Sequence, residues 1–279
     1  MTDEDRAPHD LRHLRGPFDV IGDVHGCPAE LVDLLTRLGW DVGADEVGRP
    51  VRASHPGGRV AVFVGDLVDR GPDTPGVLRL VMGMCDAGDA LCVMGNHDWK
   101  LARALGGADV TVRHGLAESL EQIGAVAEGR PVIPGGSAHP TEPDFPERVR
   151  SFLRALPIHL VLAGGDLVVV HAGLKEEFHG RASREVRAFA LYGDVGGRAP
   201  DGMPIRREWE RKYSGAARVV YGHWPVTRAE WVNNTMCLDT GCVFGGTLTA
   251  LRYPELDVVG VPARDRWWEP SRPPREPAL

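Results

Sequence analysis

The chain has 279 residues, of which 43% are hydrophobic and 25% are charged, a balance typical of a globular protein that buries a sizeable core. Its formal net charge of −7 lacks the basic excess that would by itself indicate a protein that binds nucleic acid or anionic membranes. No stretch reaches the roughly 20 apolar residues of a transmembrane helix, so we expect no membrane insertion. An acidic chain can still bind phosphate where metal ions supply positive charge.

The two ends differ in composition from the body of the chain. Residues 1–16 are charged and contain no apolar signal-peptide segment, and residues 265–279 are rich in proline, so we predict mobile tails on either side of one catalytic domain at residues 17–264. The five cysteines are odd in number and show no repeated CxxC spacing, which indicates neither a disulfide framework nor a zinc knuckle. Reduced thiols of this kind predict a cytoplasmic protein.

The first half of the body alternates short apolar runs with amphipathic segments. Residues 18–22, 60–65 and 90–95 are apolar runs that end in glycine, and residues 30–38 and 75–85 carry apolar side chains at helical spacing. Strands that alternate with helices predict βαβ units and a largely parallel sheet.

The second half is rich in predicted strands. Helices are predicted at residues 111–123 and 147–156, with a surface loop over the Gly- and Pro-rich residues 131–146. Strands then follow with little helix between them, at residues 158–163, 167–171, 218–221, 236–239, 247–253 and 257–261. A mixed half followed by a strand-rich half predicts an α/β (α+β) fold, in which two mixed β-sheets pack as a sandwich flanked by helices.

Three of the predicted strands end in glycine and are followed at once by residues of metal-binding type. The three segments are GDVHG at 22–26, GDLVDRG at 65–71 and GNHD at 95–98. Because ligands bind outside the carboxyl ends of the strands in an α/β sheet, we expect these loops to converge on one edge. Asp23 and His25 lie two residues apart, which in an extended chain directs both side chains to the same face.

Two histidines, His171 and His223, follow later β-branched runs. Each residue alone has a simpler explanation, since Asn96 could cap a helix and a single histidine at a strand end is more often hydrogen-bonded than a ligand. Their combined order favours a site for two divalent metal ions. Imidazole, carboxylate and amide ligands without thiolate suit Mn²⁺, Fe²⁺ or Zn²⁺ better than Ca²⁺.

The ordered set GDVHG, GDLVDRG, GNHD, HAG (171–173) and GH (222–223) resembles the signature of calcineurin-like metallophosphoesterases of the phosphoprotein-phosphatase type, over about residues 18–264. The resemblance implies two ions, with Mn²⁺ expected and Fe or Zn as alternatives. It also implies the ligands of each ion: Asp23, His25 and Asp66 for one, and Asp66, Asn96, His171 and His223 for the other.

The same resemblance implies roles for the remaining polar residues of these motifs. Arg70 would clamp the phosphate, with Asn96 and His97 also in contact with it, and His97 would act as general acid, oriented by Asp69. A guanidinium suits phosphate because its planar fork donates two charge-assisted hydrogen bonds. We expect direct in-line attack by metal-activated hydroxide, with no phosphoenzyme.

Longer segments, including WVNNT (231–235) and DTGCVFGG (239–246), are similar to the phosphatase module of bacterial polynucleotide kinase-phosphatases. The chain contains no GxxxxGK[ST] loop, so any kinase or ligase partner would be a separate, unknown chain. The resemblance implies phosphomonoester or phosphodiester substrates, with polynucleotide ends or nucleotides favoured. A dinucleoside tetraphosphatase and a protein Ser/Thr phosphatase are the alternatives; Asp98 stands where many protein phosphatases have Glu, a difference also seen in bacterial dinucleoside tetraphosphatases.

Four further features each have two interpretations or depart from the family pattern. A non-catalytic phosphate-binding module is the alternative of another class, although it would require loss of a ligand, Arg70 or His97, and all are present. Residues 206–213 are either a substrate wall that stacks a base or a solvated helix. Cys27 is either a small apolar filler or a reporter of oxidation. Trp224 stands where a small Thr usually follows this Gly-His pair.

Overall fold

The computed structural model describes residues 9–124, 144–198 and 204–277. Its α-helices are α1 (Pro28–Leu38), α2 (Thr74–Ala87), α3 (Asn96–Leu105), α4 (Leu116–Gln122), α5 (Phe145–Ala155) and α6 (Arg184–Tyr192). Its strands are β1 (His9–Asp10), β2 (Phe18–Ile21), β3 (Asp41–Ala44), β4 (Pro50–Ser54), β5 (Val60–Phe63), β6 (Ala90–Cys92), β7 (His159–Leu162), β8 (Leu167–Val170), β9 (Val195–Arg198), β10 (Pro204–Arg206), β11 (Arg218–Tyr221), β12 (Trp231–Val232), β13 (Thr235–Cys237), β14 (Asp239–Thr240), β15 (Thr247–Tyr253) and β16 (Val258–Pro262). Across these described ranges, no helix is both long and apolar enough to cross a membrane.

The strands form two six-stranded mixed sheets and two separate hairpins. The first sheet has the order β14-β15-β2-β5-β6, with β16 paired to β15, and the second has the order β1-β7-β8-β11-β13-β12. Strands β2, β5 and β6 run parallel, whereas β15 is antiparallel to β2. In the second sheet β8, β11 and β13 run parallel. The predicted fold class of two mixed sheets with helices is confirmed.

Alternation along the strands sorts their side chains between the sandwich interior and its outer faces. Val20 of β2 and Val169 of β8 belong to the apolar layer between the sheets. Their neighbours Ile21 and Val170 point the other way, Ile21 towards α1 and α2 and Val170 towards the cluster that contains Phe189. Because the side-chain period of a strand is two, each sheet buries both of its faces.

The helices and strands lie close to their predicted places, with some differences. The helix predicted at 111–123 begins at Leu116, because Gly115 precedes it with a left-handed φ of 95°. The hairpins β3-β4 and β9-β10 were not predicted, and the second gives the 204–206 segment a strand conformation. Residues 131–143 of the predicted loop lie outside the described residues, and Phe145 at its end already belongs to α5.

Both ends of the chain contact the body over part of their length. Strand β1 pairs in parallel with β7 at the N-terminal end. Near the C-terminal end, Trp267 Nε1 donates a hydrogen bond to Glu30 Oε1 at 3.0 Å, and Arg275 forms an ion pair with Glu210. The mobility of residues 1–16 and 265–279, and the domain bounds 17–264, stay predictions.

Candidate active site

The carboxyl ends of parallel strands from both sheets carry the predicted ligands. Asp23, Asp66 and Asn96 follow β2, β5 and β6 of the first sheet, and His171 and His223 follow β8 and β11 of the second. The structure brings these side chains together, as the direct contacts below show. The expectation that separate strand-end loops converge on one site therefore holds in three dimensions.

His25, Asp66 and His97 form one compact group, in which one ligand atom from each lies within 4.8 Å of the others. The Nδ1–H of His25 donates to the Val68 carbonyl oxygen at 2.7 Å, which leaves Nε2 unprotonated. That nitrogen lies 3.6 Å from Asp66 Oδ2. A backbone partner that fixes the histidine tautomer in this way is typical of a metal ligand.

Asp66, His171 and His223 form a second group of the same size. His171 Nδ1–H donates to the Val64 carbonyl oxygen at 3.1 Å, so its Nε2 lone pair faces Asn96 Oδ1 at 2.9 Å and Asp66 Oδ2 at 3.4 Å. Lone pairs that face one another repel unless a cation lies between them. Asp66 belongs to both groups, a position that suits a ligand shared by two ions.

Asp23 reaches the second group through its contact with His223. Its Oδ2 accepts a hydrogen bond from the His223 backbone N–H at 3.0 Å, whereas Oδ1 has no partner among the described residues. A side chain at Gly222 would lie only 1.8 Å from that oxygen, and one at Gly95 would lie 2.2 Å from Asp66 Oδ1. These glycines make room for the two carboxylates.

The electrostatics of the cluster fit the predicted metal ions. Burial raises the pKa of Asp66 to about 7, and burial, Asp239 and Asp66 raise the pKa of Asp23. Burial lowers the pKa of His171 to about 3 and, together with Arg206, lowers that of His223, whose Nε2 has no partner among the described residues. Crowded carboxylates beside neutral imidazoles form a set of electron-pair donors that divalent cations would stabilise.

The backbone of the site is strained at the functional positions. His25, Asp66, Asp69, Arg70 and His223 all have positive φ angles, from 44° to 74°. A non-glycine residue in the left-handed region costs of order 1–3 kcal/mol and persists only where its surroundings fix it. The concentration of such residues in GDVHG, GDLVDRG and the GH pair at 222–223 marks these loops as functional.

Arg70 joins the ligand cluster to the predicted general acid. Its two terminal nitrogens donate to His25 Nε2 at 2.7 Å and to His97 Nε2 at 2.8 Å. His97 Nδ1–H donates to the buried Asp69 Oδ2 at 2.6 Å, the predicted orientation. Burial, followed by the Arg70 charge, lowers the pKa of His97, so in this state the Asp69 carboxylate does not keep His97 protonated.

Comparison with known proteins gives the family. A family model described as calcineurin-like phosphoesterase matches residues 16–260, most of the chain. The chain belongs to the calcineurin-like phosphoesterase family. As a member of this family it is a hydrolase that acts on phosphoester bonds, and membership implies divalent metal ions.

Two bacterial relatives of this phosphoesterase carry the name bis(5'-nucleosyl)-tetraphosphatase PrpE [asymmetrical]. The protein from Geobacillus sp. (strain WCH70) is 40% identical over 249 residues, which cover 88% of this chain and 94% of the relative. The protein from Bacillus subtilis (strain 168) is 41% identical over 247 residues, with the same coverage. Their names agree with the tetraphosphatase alternative from the sequence.

A solved structure supports the fold of the phosphoesterase. A crystal structure described as a candidate diadenosine tetraphosphatase superposes with a TM-score of 0.63 at 24% identity, and covers 93% of this chain and all of the other. At this identity the likeness shows the fold alone.

Asp239 was missed as a site residue. It is buried, directly follows β13 and Leu238, and its charge adds to those that raise the pKa of Asp23, while burial raises its own pKa to about 6. Because β13 runs parallel to β11, its carboxyl end lies at the same edge as His223. The predicted strand at 236–239 ends in Asp239, so the sequence contains a carboxylate at a strand end. The predicted ligands after the later strands were histidines alone.

Arg206 was also missed as a site residue. Its guanidinium lies over the Trp224 ring, 5.4 Å from the centroid, and Arg206 lines a pocket together with Trp224 and His223. The charges of Asp239 and Asp66 act on it, but neither carboxylate forms a direct ion pair with it within the described part of the chain. An arginine on this side of the cluster without a direct carboxylate contact is available to bind an anion.

The other residues of the 206–213 segment follow neither sequence interpretation. Strand β10 ends at Arg206, and a 3₁₀ turn spans Trp209–Lys212 where a helix was one alternative. Trp209 and Tyr213 are buried in the outer apolar cluster, and a side chain at Gly173 would lie 2.3 Å from the Trp209 indole. These aromatic rings support the HAG motif from behind and are not free to stack a base.

Proposed function

We propose that this phosphoesterase hydrolyses the phosphate bridge of dinucleoside tetraphosphates with two divalent ions, Mn²⁺ first among them. The observation that carries the proposal is the pair of guanidinium groups beside the ligand cluster. Arg70 lies on the side of His25 and His97, and Arg206 lines a pocket with His223 on the other side. A chain of linked phosphates presents successive negative charges, so a site with one cationic fork on each side suits it better than a single phosphomonoester does.

The residues present fit two ions with nitrogen and oxygen ligands. By the family resemblance Asp23, His25 and Asp66 would hold one, and Asp66, Asn96, His171 and His223 the other. His25 lies close to Asp66, and Asp66 lies close to His171 and His223, whereas the direct contact of Asp23 is with the His223 backbone. When bound, the ions supply Lewis-acid charge and lower the pKa of water for attack on phosphorus. Manganese suits this set because none of these ligands is sulfur.

Arg70 and His97 then act on the reacting phosphate. Arg70 exchanges its two histidine acceptors for phosphate oxygens, because a charge-assisted bond to an anion is stronger than one to a neutral ring. The bound negative charge offsets the Arg70 charge that contributes to lowering the pKa of His97, so His97 gains a proton at Nε2. Asp69 holds the ring at Nδ1, which leaves Nε2 free to protonate the leaving oxygen.

Arg206 binds a second phosphate of the bridge. Its contact with the Trp224 ring orients the guanidinium without neutralising it, since a ring face offers attraction but no charge. Arg275 lies over the same ring at 4.3 Å but is already paired with Glu210. Arg206 is thus the better placed of the two to accept a new anionic partner.

The segments that resemble a polynucleotide phosphatase module have internal roles in this structure. Asn233 Nδ2 donates to the Glu210 carbonyl oxygen at 2.8 Å, and Asn234 Nδ2 donates to the Gly215 carbonyl oxygen at 3.0 Å. Thr240 Oγ1 donates to the Thr247 carbonyl oxygen at 2.6 Å. Because these side chains hold loops together, their presence does not favour polynucleotide ends over nucleotides, and polynucleotide ends stay an alternative substrate.

A substrate comparison tests the proposal. The metal-stripped protein, supplied with Mn²⁺, is assayed on diadenosine tetraphosphate, on an oligonucleotide with a terminal phosphate and on a phosphoserine peptide. We expect the tetraphosphate to give the highest kcat/KM, with a nucleoside triphosphate and a monophosphate formed in equal amounts. Preference for the oligonucleotide or the peptide would reject the proposed substrate while keeping the phosphoesterase site. Asp66→Asn, which retains the oxygen that accepts from His97 N–H, is the inactive control.

A further inference from the structure

Two thiols and a carboxylate converge beside the active site. One ligand atom each from Cys27, Glu30 and Cys242 lies within 4.8 Å of the others. Their exposed fractions are 0%, 0% and 2%. This thiol cluster shares no residue with the ligand groups around Asp66. It is therefore a separate set of donor atoms.

Glu30 has one oxygen that lacks a partner. Its Oε1 accepts hydrogen bonds from Arg264 N and Trp267 Nε1, both at 3.0 Å, whereas Oε2 has none within the residues that the structure describes. The Arg264 guanidinium does not compensate, because it pairs with Asp33 at 2.8 Å. A buried carboxylate oxygen without a donor is costly, so something other than a protein hydrogen bond is needed to satisfy it.

We propose that Cys27, Cys242 and Glu30 bind a Zn²⁺-class divalent ion, distinct from the ions of the active site. Two sulfur ligands and one carboxylate oxygen match the preference of Zn²⁺ for four ligands that include thiolate. The His25 carbonyl oxygen, 3.5 Å from Cys27 Sγ, lies beside the cluster as a further oxygen ligand. Each thiol releases its proton to solvent as its sulfur bonds to the ion.

The arrangement favours a metal ion over a disulfide. A disulfide would leave Glu30 Oε2 without a partner, whereas an ion uses all three donors. No local sequence pattern indicates this site, because Cys27 and Cys242 lie near opposite ends of the chain and no CxxC spacing marks them.

The ion would join segments that carry active-site residues. Cys27 directly precedes α1 and follows His25 by two positions, and Cys242 follows Asp239 by three. Glu30 lies in the first turn of α1 and contacts the C-terminal segment through Trp267. Binding would thus hold the His25 loop, the Asp239 loop and the C-terminal segment in one arrangement.

Cobalt substitution tests the proposal on the full-length protein. Co²⁺ bound to thiolate gives a ligand-to-metal charge-transfer absorption in the near ultraviolet, and the active-site ligands contain no sulfur that could produce it. We expect wild-type protein to show this band, saturating at one ion per chain, and Zn²⁺ to abolish it. The band should be lost in Cys27→Ser and Cys242→Ser, and Glu30→Gln should weaken Co²⁺ binding by about tenfold or more, as loss of a metal-site carboxylate does.

Two controls separate this site from the rest of the protein. Cys85→Ser, at a half-buried thiol of α2, and Asp66→Asn should both keep the band. Circular dichroism shows whether each variant is folded. If the serine variants unfold, the rate of alkylation of wild-type protein with and without Zn²⁺ replaces them. Buried thiols react only when the structure opens locally, and we expect Zn²⁺ to slow the reaction at Cys27 and Cys242. Folded wild-type protein without the band, a band that survives both serine substitutions, or protection that maps to other cysteines would overturn the proposal.

Discussion

Strand β2 carries two buried aspartates with opposite environments, Asp19 within the strand and Asp23 just after it. Asp19 Oδ1 accepts from Arg59 Nε at 2.8 Å, and Oδ2 accepts from Trp40 Nε1 at 2.9 Å. Asp23 has one backbone partner, at His223, and an oxygen with none among the described residues. Both carboxylates are thus buried, but only that of Asp19 has protein hydrogen-bond partners for both of its oxygens.

The partners of Asp19 are themselves complete. Arg59 also donates to the Phe18 carbonyl oxygen at 2.7 Å and to Glu255 Oε1 at 2.8 Å. A network of this kind stabilises the fold, and both Asp19 oxygens are already used as hydrogen-bond acceptors within it. The cluster around Asp23 and Asp66 lacks such closure, which is what a site completed by metal ions requires. Burial is common to Asp19 and Asp23, so the number of hydrogen-bond partners is what separates the structural carboxylate from the functional one.

Among the variants considered below, removal of the proposed general acid should have the largest effect, and that effect is on kcat. We expect His97→Ala to lower kcat by about 10²- to 10⁴-fold on esters with alkoxide leaving groups, because the leaving oxygen then lacks its proton donor. The loss should be smaller on p-nitrophenyl phosphate, whose leaving group needs little protonation. Steady-state rates on both ester types check this. Equal rates for variant and wild type on the alkoxide ester would remove His97 from the role.

Matched alanine substitutions of the two aspartates should have different effects on the stability of the fold. Asp19→Ala leaves Arg59 buried with only the half-exposed Glu255 as carboxylate partner, and we expect a loss of about 3–5 kcal/mol in the free energy of unfolding. In the presence of a chelator, Asp23→Ala should be neutral or stabilising, because it removes a carboxyl group whose charge is disfavoured by burial and by the nearby Asp239 and Asp66. Urea denaturation measures both. Equal destabilisation by the two substitutions would show that Asp23 is structural.

The second arginine should matter only for substrates with several phosphates. We expect Arg206→Ala to lower kcat/KM for diadenosine tetraphosphate by about 100-fold, the value of a lost hydrogen-bonded charge pair, and to leave p-nitrophenyl phosphate nearly unchanged. The neighbouring Arg207→Ala is the matched control, because Arg207 is exposed and lies 3.8 Å from Asp194. Equal losses of kcat/KM on both substrates would show that Arg206 supports the structure of the site and does not bind a second phosphate.

The smallest expected effect concerns a buried histidine outside the site. Burial lowers the pKa of His159 from 6.5 to about 4, and its Nε2 accepts from Gly180 N–H. The unfolded chain therefore binds the proton more readily, and unfolding is favoured as pH falls from 6.5 towards 4. We expect His159 to contribute about 2 kcal/mol to the loss of stability between pH 7 and 5, and His159→Gln to remove that contribution. A profile that is unchanged in the variant would contradict this assignment.

The residues that the structure brings together at the strand ends were predictable from sequence because each motif is local, whereas their role as metal ligands stays a prediction. Asp66 and Asn96 each follow a glycine at the end of an apolar run, a pattern that indicates a strand end and a candidate ligand within a few residues. The parallel topology then brings the strand ends together. Asp239 lay on a predicted strand but lacked a histidine to draw attention. Arg206 belongs to the hairpin β9-β10, which has no apolar alternation that would reveal it. Partners distant in sequence, such as Arg59 and Glu255, leave no local pattern.

The number of Mn²⁺ ions bound by wild-type protein and by Asp66→Asn, with turnover followed in the same samples, tests whether Asp66 holds two ions that the reaction requires. Mn²⁺ is used because the thiol cluster favours softer ions. We predict two ions per wild-type chain. In the variant we predict loss of tight binding and about 10³-fold or greater loss of turnover, since even outer-shell changes cost about 10- to 100-fold. A variant that binds two ions and turns over at the wild-type rate would contradict the account.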